Sequence, residues 1–114
     1  MTNYIWFKTQ KSAFHHWPDA PKEVKYLSVK HRHLFYFKIH IEVHHNDREI
    51  EFHMFRNPIN EYIQHWEENL ESSSCEMLAD RLNNFIHKRW PNRKVIIEVS
   101  EDNECRTVMK YSNQ

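Results

Sequence analysis

The chain has 114 residues, with 16 acidic and 16 basic side chains, so its formal net charge is zero. That length supports one domain with one modest core, and the charge balance leaves no electrostatic footprint for nucleic acid or an anionic membrane. No run approaches the apolar length of a membrane span, MTNYIWFKTQ lacks a charged-then-apolar signal pattern, and Cys75 and Cys105 are too few for a disulfide framework. A soluble cytoplasmic protein is expected, and near-zero net charge with abundant aromatics points to surface buried in a homo-oligomer.

Tyr4 to Phe7 is expected to form a first strand. Ser12 to Lys30 is punctuated by Pro18 and Pro21 and is long enough to be a functional loop. Leu34 to His44 alternates cleanly, with Phe35, Phe37, Ile39, Ile41 and Val43 on one face. Glu49 to Phe55 also alternates, through Ile50, Phe52 and Met54, and Asn46-Asp47 offers a two-residue turn between the two runs. That hairpin predicts Val43 opposite Ile50, Ile41 opposite Phe52 and Ile39 opposite Met54, because a one-residue slip would break all three pairs. Its polar face would hold His40, His53, Glu42 and Glu51, more readily a solvated or oligomer-facing surface than a second metal site.

Two helices follow in the sequence. Asn57-Pro58 suits an N-cap and first turn, after which Ile59, Tyr62, Ile63, Trp66 and Leu70 keep helical spacing. Glu71 to Ser74 is a break with a serine cap, and Cys75, Leu78, Ala79, Leu82, Phe85 and Ile86 then form an apolar stripe that Pro91 ends. Cys75 reads as a small buried apolar residue. Val95 to Ser100 and Arg106 to Tyr111 complete the chain as strands. No repeat or linker interrupts residues 1–114, so a single α+β domain is expected, with the helices on one face of an antiparallel sheet. The chain has no glycine, so its turns must use Asn, Asp, Ser or Pro, and any Gly-rich phosphate loop is excluded.

The chemistry concentrates at His31-Arg32-His33, which opens the alternating run. Histidines two apart at the start of a strand point to the same side of the sheet. His15 lies upstream in SAFHHWPDAP, with His16 as its rival. Three neutral imidazoles converging from two segments are what a catalytic Zn2+ requires, the fourth position being left to water or substrate.

Four segments in order resemble one family. SAFHHWP resembles the AAHRLP entry of the 6-pyruvoyl-tetrahydropterin synthase and 6-carboxy-tetrahydropterin synthase family, and KHRHLFYFKIHIEV resembles its LHGHxYxVxV strand. SSCEMLADRL and VIIEVSEDNECR resemble its PTAENLA and VxVSET…R segments. The resemblance implies the tunnelling fold, an antiparallel four-stranded sheet with two helices packed on one face, whose protomers associate into an oligomeric barrel (a tetramer or hexamer). It implies a zinc-dependent lyase acting on dihydroneopterin triphosphate or a related pterin, the chemistry of queuosine biosynthesis among its settings.

By this resemblance His15, His31 and His33 match the zinc ligands, and Glu101 matches the glutamate that anchors the pterin ring. The chain also departs from the family. Leu27 stands where family enzymes carry the cysteine that moves a substrate proton, and Arg32 replaces the glycine of H-G-H. His65, preceded by Gln64, falls near the family's Asp-His pair, and Glu23 is a loop glutamate of the kind some relatives use, so these two residues are the catalytic candidates. The alternative implied by Leu27 is a catalytically degenerate protein that binds zinc and a pterin or purine-like compound as a sensor or sequestering protein.

Overall fold

The computed structural model describes residues 2–114. It is an α+β fold with an open four-stranded antiparallel sheet in the order β1-β2-β3-β4, formed by Asn3–His15, His31–Val43, Val95–Glu101 and Cys105–Tyr111. Between β2 and β3 lie helices α1, Phe52–Gln64, and α2, Cys75–Arg89, and a 3-10 segment, Lys22–Ser28, joins β1 to β2. Among the described residues no helix is long and apolar enough to cross a membrane.

One row of side chains per strand builds the core. Phe7 and Ala13 of β1, Phe35, Phe37, Ile39 and Ile41 of β2, and Val95, Ile97 and Val99 of β3 are all buried, as period-two alternation requires. Both helices cover that face. α1 contributes Phe55, Ile59 and Ile63 and α2 contributes Leu78, Ala79, Leu82 and Ile86, spacings of three and four that make one stripe per helix. Removing a fully buried ring such as Phe35 costs about 3–5 kcal/mol.

α2 starts where expected. The Ser74 side chain accepts from the Met77 N–H, and Lys88 and Arg89 place positive charge in the last turn, complementing the helix dipole.

The predicted hairpin does not form. Ile50 is buried, but Phe52 and Met54 are 64% and 70% exposed in the first turn of α1. The helix begins because Glu51 caps it, its carboxylate accepting from the His53 and Met54 N–H groups. Asn57-Pro58 therefore lies inside α1 rather than at its start, and Pro58 offers no N–H to the Met54 carbonyl. Val43, Ile41 and Ile39 pair instead with Asn3, Ile5 and Phe7. The polar quartet disperses with the hairpin, since His40 is opposite Trp6 and His53 sits on α1.

β1 is longer than its apolar pattern suggested. It pairs with β2 over 13 consecutive positions, from Asn3↔Val43 to His15↔His31, so Ser12–His15 is strand and the irregular loop begins at His16. The polar middle of the strand is held by α1: the Thr9 hydroxyl donates to Asn60 at 2.6 Å and the Lys11 amine donates to the Gln64 carbonyl at 3.3 Å.

Turns without glycine fall at Asn92, Asp102 and Asn103, which take positive φ, as short Asn and Asp side chains tolerate. Arg48 and Glu71 also take positive φ, 51° and 56°, residue types that the turn rule did not single out.

Candidate metal centre

The β1–β2 ribbon extends beyond the end of β3, because β3 pairs with β2 only as far as Phe35↔Glu101. His15, His31 and His33 occupy this overhang. His15 and His31 are direct cross-strand partners and Ala13 partners His33, so the three imidazoles share the core-side face. Their ring centroids lie 4.6–5.1 Å apart, and the fully buried Phe35 ring stands edge-on beneath His15 and His33. Arg32, between the two β2 histidines, turns to the opposite face and stacks on Phe14 at 4.7 Å. The Arg32 cation therefore stays out of the site.

Each imidazole is oriented by its Nδ1. His15 donates to the Ser73 carbonyl at 2.9 Å, His31 to the Val29 carbonyl at 2.8 Å, and His33 to the Asp102 carboxylate at 2.6 Å. Donation from Nδ1 fixes the neutral tautomer, so each Nε2 presents a lone pair inward. Among the described residues, the three Nε2 atoms are buried without a satisfying hydrogen bond. Three buried acceptors aimed at one point are unfavourable unless a cation lies among them.

Glu101 stands at the same point. Its Oε2 is 2.7 Å from His33 Nε2 and 3.4 Å from His15 Nε2, and the four donor atoms of His15, His31, His33 and Glu101 lie within 4.8 Å of one another. Tetrahedral donors around zinc stand about 3.3 Å apart, so these side chains fit a metal with small rotations. A contact of 2.7 Å between a carboxylate and an imidazole lone pair needs a shared positive charge, whether a proton or a metal ion.

The electrostatics follow from this crowding. Burial works against a charged His15, but the adjacent Glu101 carboxylate and the Ser73 carbonyl favour that form and together raise its pKa. The adjacent His15 imidazole outweighs burial at Glu101 and holds its carboxyl below the usual range, with the other imidazoles adding to the effect. Asp102 is also lowered, first by accepting the Leu34 N–H at 2.8 Å and then by His33.

A cavity of about 300 Å³ opens over the cluster, walled by Trp17, Leu27, the Ser72–Ser74 loop and the first residues of α2. Leu27 lines this wall from the 3-10 segment with an apolar side chain. His16 also faces the cavity, but His15 is the one in the donor cluster. His65 caps the C-terminal end of α1, exposed, with its Nδ1 donating to the Glu61 carbonyl. Glu23 is exposed on the 3-10 segment. Neither lines the cavity.

Two residues matter more than sequence pattern indicated. Cys75, read as core, lines the cavity and donates its thiol to Glu101 Oε1 at 3.9 Å; burial first, then the Glu101 charge, pushes that thiol up to about 12. Its place directly after the Ser74 cap was the available signal. Asp102, next to Glu101 in the VSED turn, orients His33, and its carboxylate beside a ligand candidate was the sign.

Fold and site together define an α+β protein with a candidate metal centre of three histidines and one carboxylate. No protein-family model matches the chain, and no curated protein matches it either.

Proposed function

We propose that this chain is a zinc-dependent protein of the tetrahydropterin synthase type, with dihydroneopterin triphosphate or a related pterin held in the cavity over the histidine cluster. The observation that carries the reading is the convergence of three Nδ1-anchored imidazoles beside a cavity of about 300 Å³, into which His15 and His31 face. A pocket of that size suits a small heterocycle. Held by His15, His31 and His33, zinc would supply Lewis acidity toward a substrate oxygen. The protein's own groups do the remainder: Trp17 and Leu27 limit water, the Ser72–Ser74 loop frames the entrance, and Glu101 is the acceptor for ring N–H groups. His65 would act only from a neighbouring protomer, which fits a homo-oligomer built on the tunnelling-fold plan.

A second reading, binding without turnover, is favoured by Leu27. Leu27 places an aliphatic side chain in that wall, and the Cys75 thiol is pushed up to about 12, so neither is a ready proton-transfer group.

Zinc-loaded protein incubated with dihydroneopterin triphosphate distinguishes the readings, with bound pterin followed by fluorescence and product by chromatography. Turnover at stoichiometric zinc supports the enzyme, and pterin binding without product supports the sensor or sequestering protein. Neither binding nor product overturns both.

A further inference from the structure

Glu101 carries two incompatible demands on one oxygen. As a ring anchor it must face a ligand in the cavity, yet its Oε2 lies among the imidazole nitrogens, 2.7 Å from His33 and 3.4 Å from His15. Its position is set by the backbone. Glu101 ends the inward-facing row Val95, Ile97, Val99 and pairs with Phe35, so its side chain emerges beside His33, two residues before Phe35. The following turn is fixed by the Glu104 N–H donating to the Glu101 carbonyl at 3.0 Å, and by positive φ at Asp102 and Asn103. Its other oxygen, Oε1, accepts from the Cys75 thiol. The carboxylate is thus tethered by a neutral donor from α2 while its free oxygen points into the cluster.

We propose that Glu101 is the fourth protein ligand of the metal in the ligand-free state, and that an incoming ligand gains the metal only by displacing it. The inference rests on the metal reading above and changes its open coordination site into a closed one. No backbone movement is required, because rotation of the Glu101 side chain about its own torsions moves Oε2 from the cluster into the cavity. Anchoring a ring and ligating the metal are then alternative states of one carboxylate, so ligand entry and opening of the metal are coupled.

Cobalt(II) substitution tests this without relying on activity. In wild-type protein the visible spectrum of bound cobalt should stay unchanged on addition of azide or thiocyanate. In Glu101→Gln the same anions should enter the vacated position and shift the spectrum, at concentrations at least about tenfold lower than any that affect wild type. Metal affinity in the variant should also fall by at least about tenfold, in the range of losses seen for supporting residues of metal sites. Equal anion response in the two proteins overturns the proposal. If the variant fails to fold, the wild-type titration decides alone, since a spectral shift at low anion concentration means an open position. Failure of wild type to bind cobalt at all refutes the metal centre itself, a different result from failure of the closure.

Discussion

Asp102→Asn isolates the orientation of one imidazole. Asp102 accepts the His33 Nδ1–H at 2.6 Å and the Leu34 N–H at 2.8 Å, and it sits at φ 53°. Asparagine tolerates that backbone conformation and its amide oxygen keeps the Leu34 bond. Its NH2 group cannot accept from His33, so the imidazole shifts its proton to Nε2 or rotates, and either change removes a lone pair from the centre. Loss of such a support weakens metal binding by about 10–100-fold, which is roughly 1.4–2.7 kcal/mol. The metal-free fold should lose less, under about 1 kcal/mol, because the Asp102 side chain is 43% exposed and water competes for its contacts. Zinc competition against a chromophoric chelator measures the first quantity and thermal melting of metal-free protein the second. An affinity change below about threefold, together with a large loss of melting temperature, would make Asp102 a turn residue and refute the reasoning.

Leu27→Cys places a thiol in the cavity wall, and turnover of dihydroneopterin triphosphate should rise about 10²-fold over wild type by quantitative chromatography, since a positioned acid-base group contributes that order. Glu49 is held down to about 2 from an ordinary 4.5, first by its bidentate pairing with Arg93 at 2.7 and 2.9 Å. Because the folded pKa is depressed, its stabilisation is present above pH 4.5 and disappears as pH falls toward 2. Melting curves of wild type and Glu49→Gln should therefore differ at pH 7 and converge by about pH 2, and a constant gap would count against the pairing. Arg48→Gly relieves a left-handed conformation that costs a non-glycine residue roughly 1–2 kcal/mol, so urea denaturation should show a gain of about 1 kcal/mol; no gain would mean that the surrounding loop relaxes the strain.

The fold was legible wherever one periodicity acted alone. β2, α2, β3 and β4 stand close to their expected places because each carries a single unbroken apolar pattern. Glu49 to Phe55 failed for a physical reason: Ile50, Phe52 and Met54 alternate, but burial selects Phe55, Ile59 and Ile63 at helical spacing, and the Glu51 cap settles the choice. β1 was cut short because Lys8, Gln10 and Ser12 lie on its outer face, and inward Thr9 and Lys11 meet α1 through polar bonds that a hydrophobic pattern cannot reveal. At the site, the three histidines were visible from type and spacing, whereas Glu101 came from the resemblance and as a ring anchor; the strand pairing brings all four together. Their supports were not. The Ser73 and Val29 carbonyls belong to the backbone, and the contact between the Cys75 thiol and Glu101 spans 26 positions of chain. His65 and Glu23 came from resemblance rather than from a pattern in the residues, and in the protomer they stand apart from the cavity.

X-ray absorption at the zinc edge, on protein given one equivalent of Zn2+ and freed of excess, tests the central claim most directly. One zinc per chain is predicted, with three imidazole nitrogens and one oxygen at roughly 2.0–2.1 Å, and with the signal lost in a His31→Ala, His33→Ala double variant. Protein that retains no zinc, or a double variant that retains as much as wild type, would contradict the account.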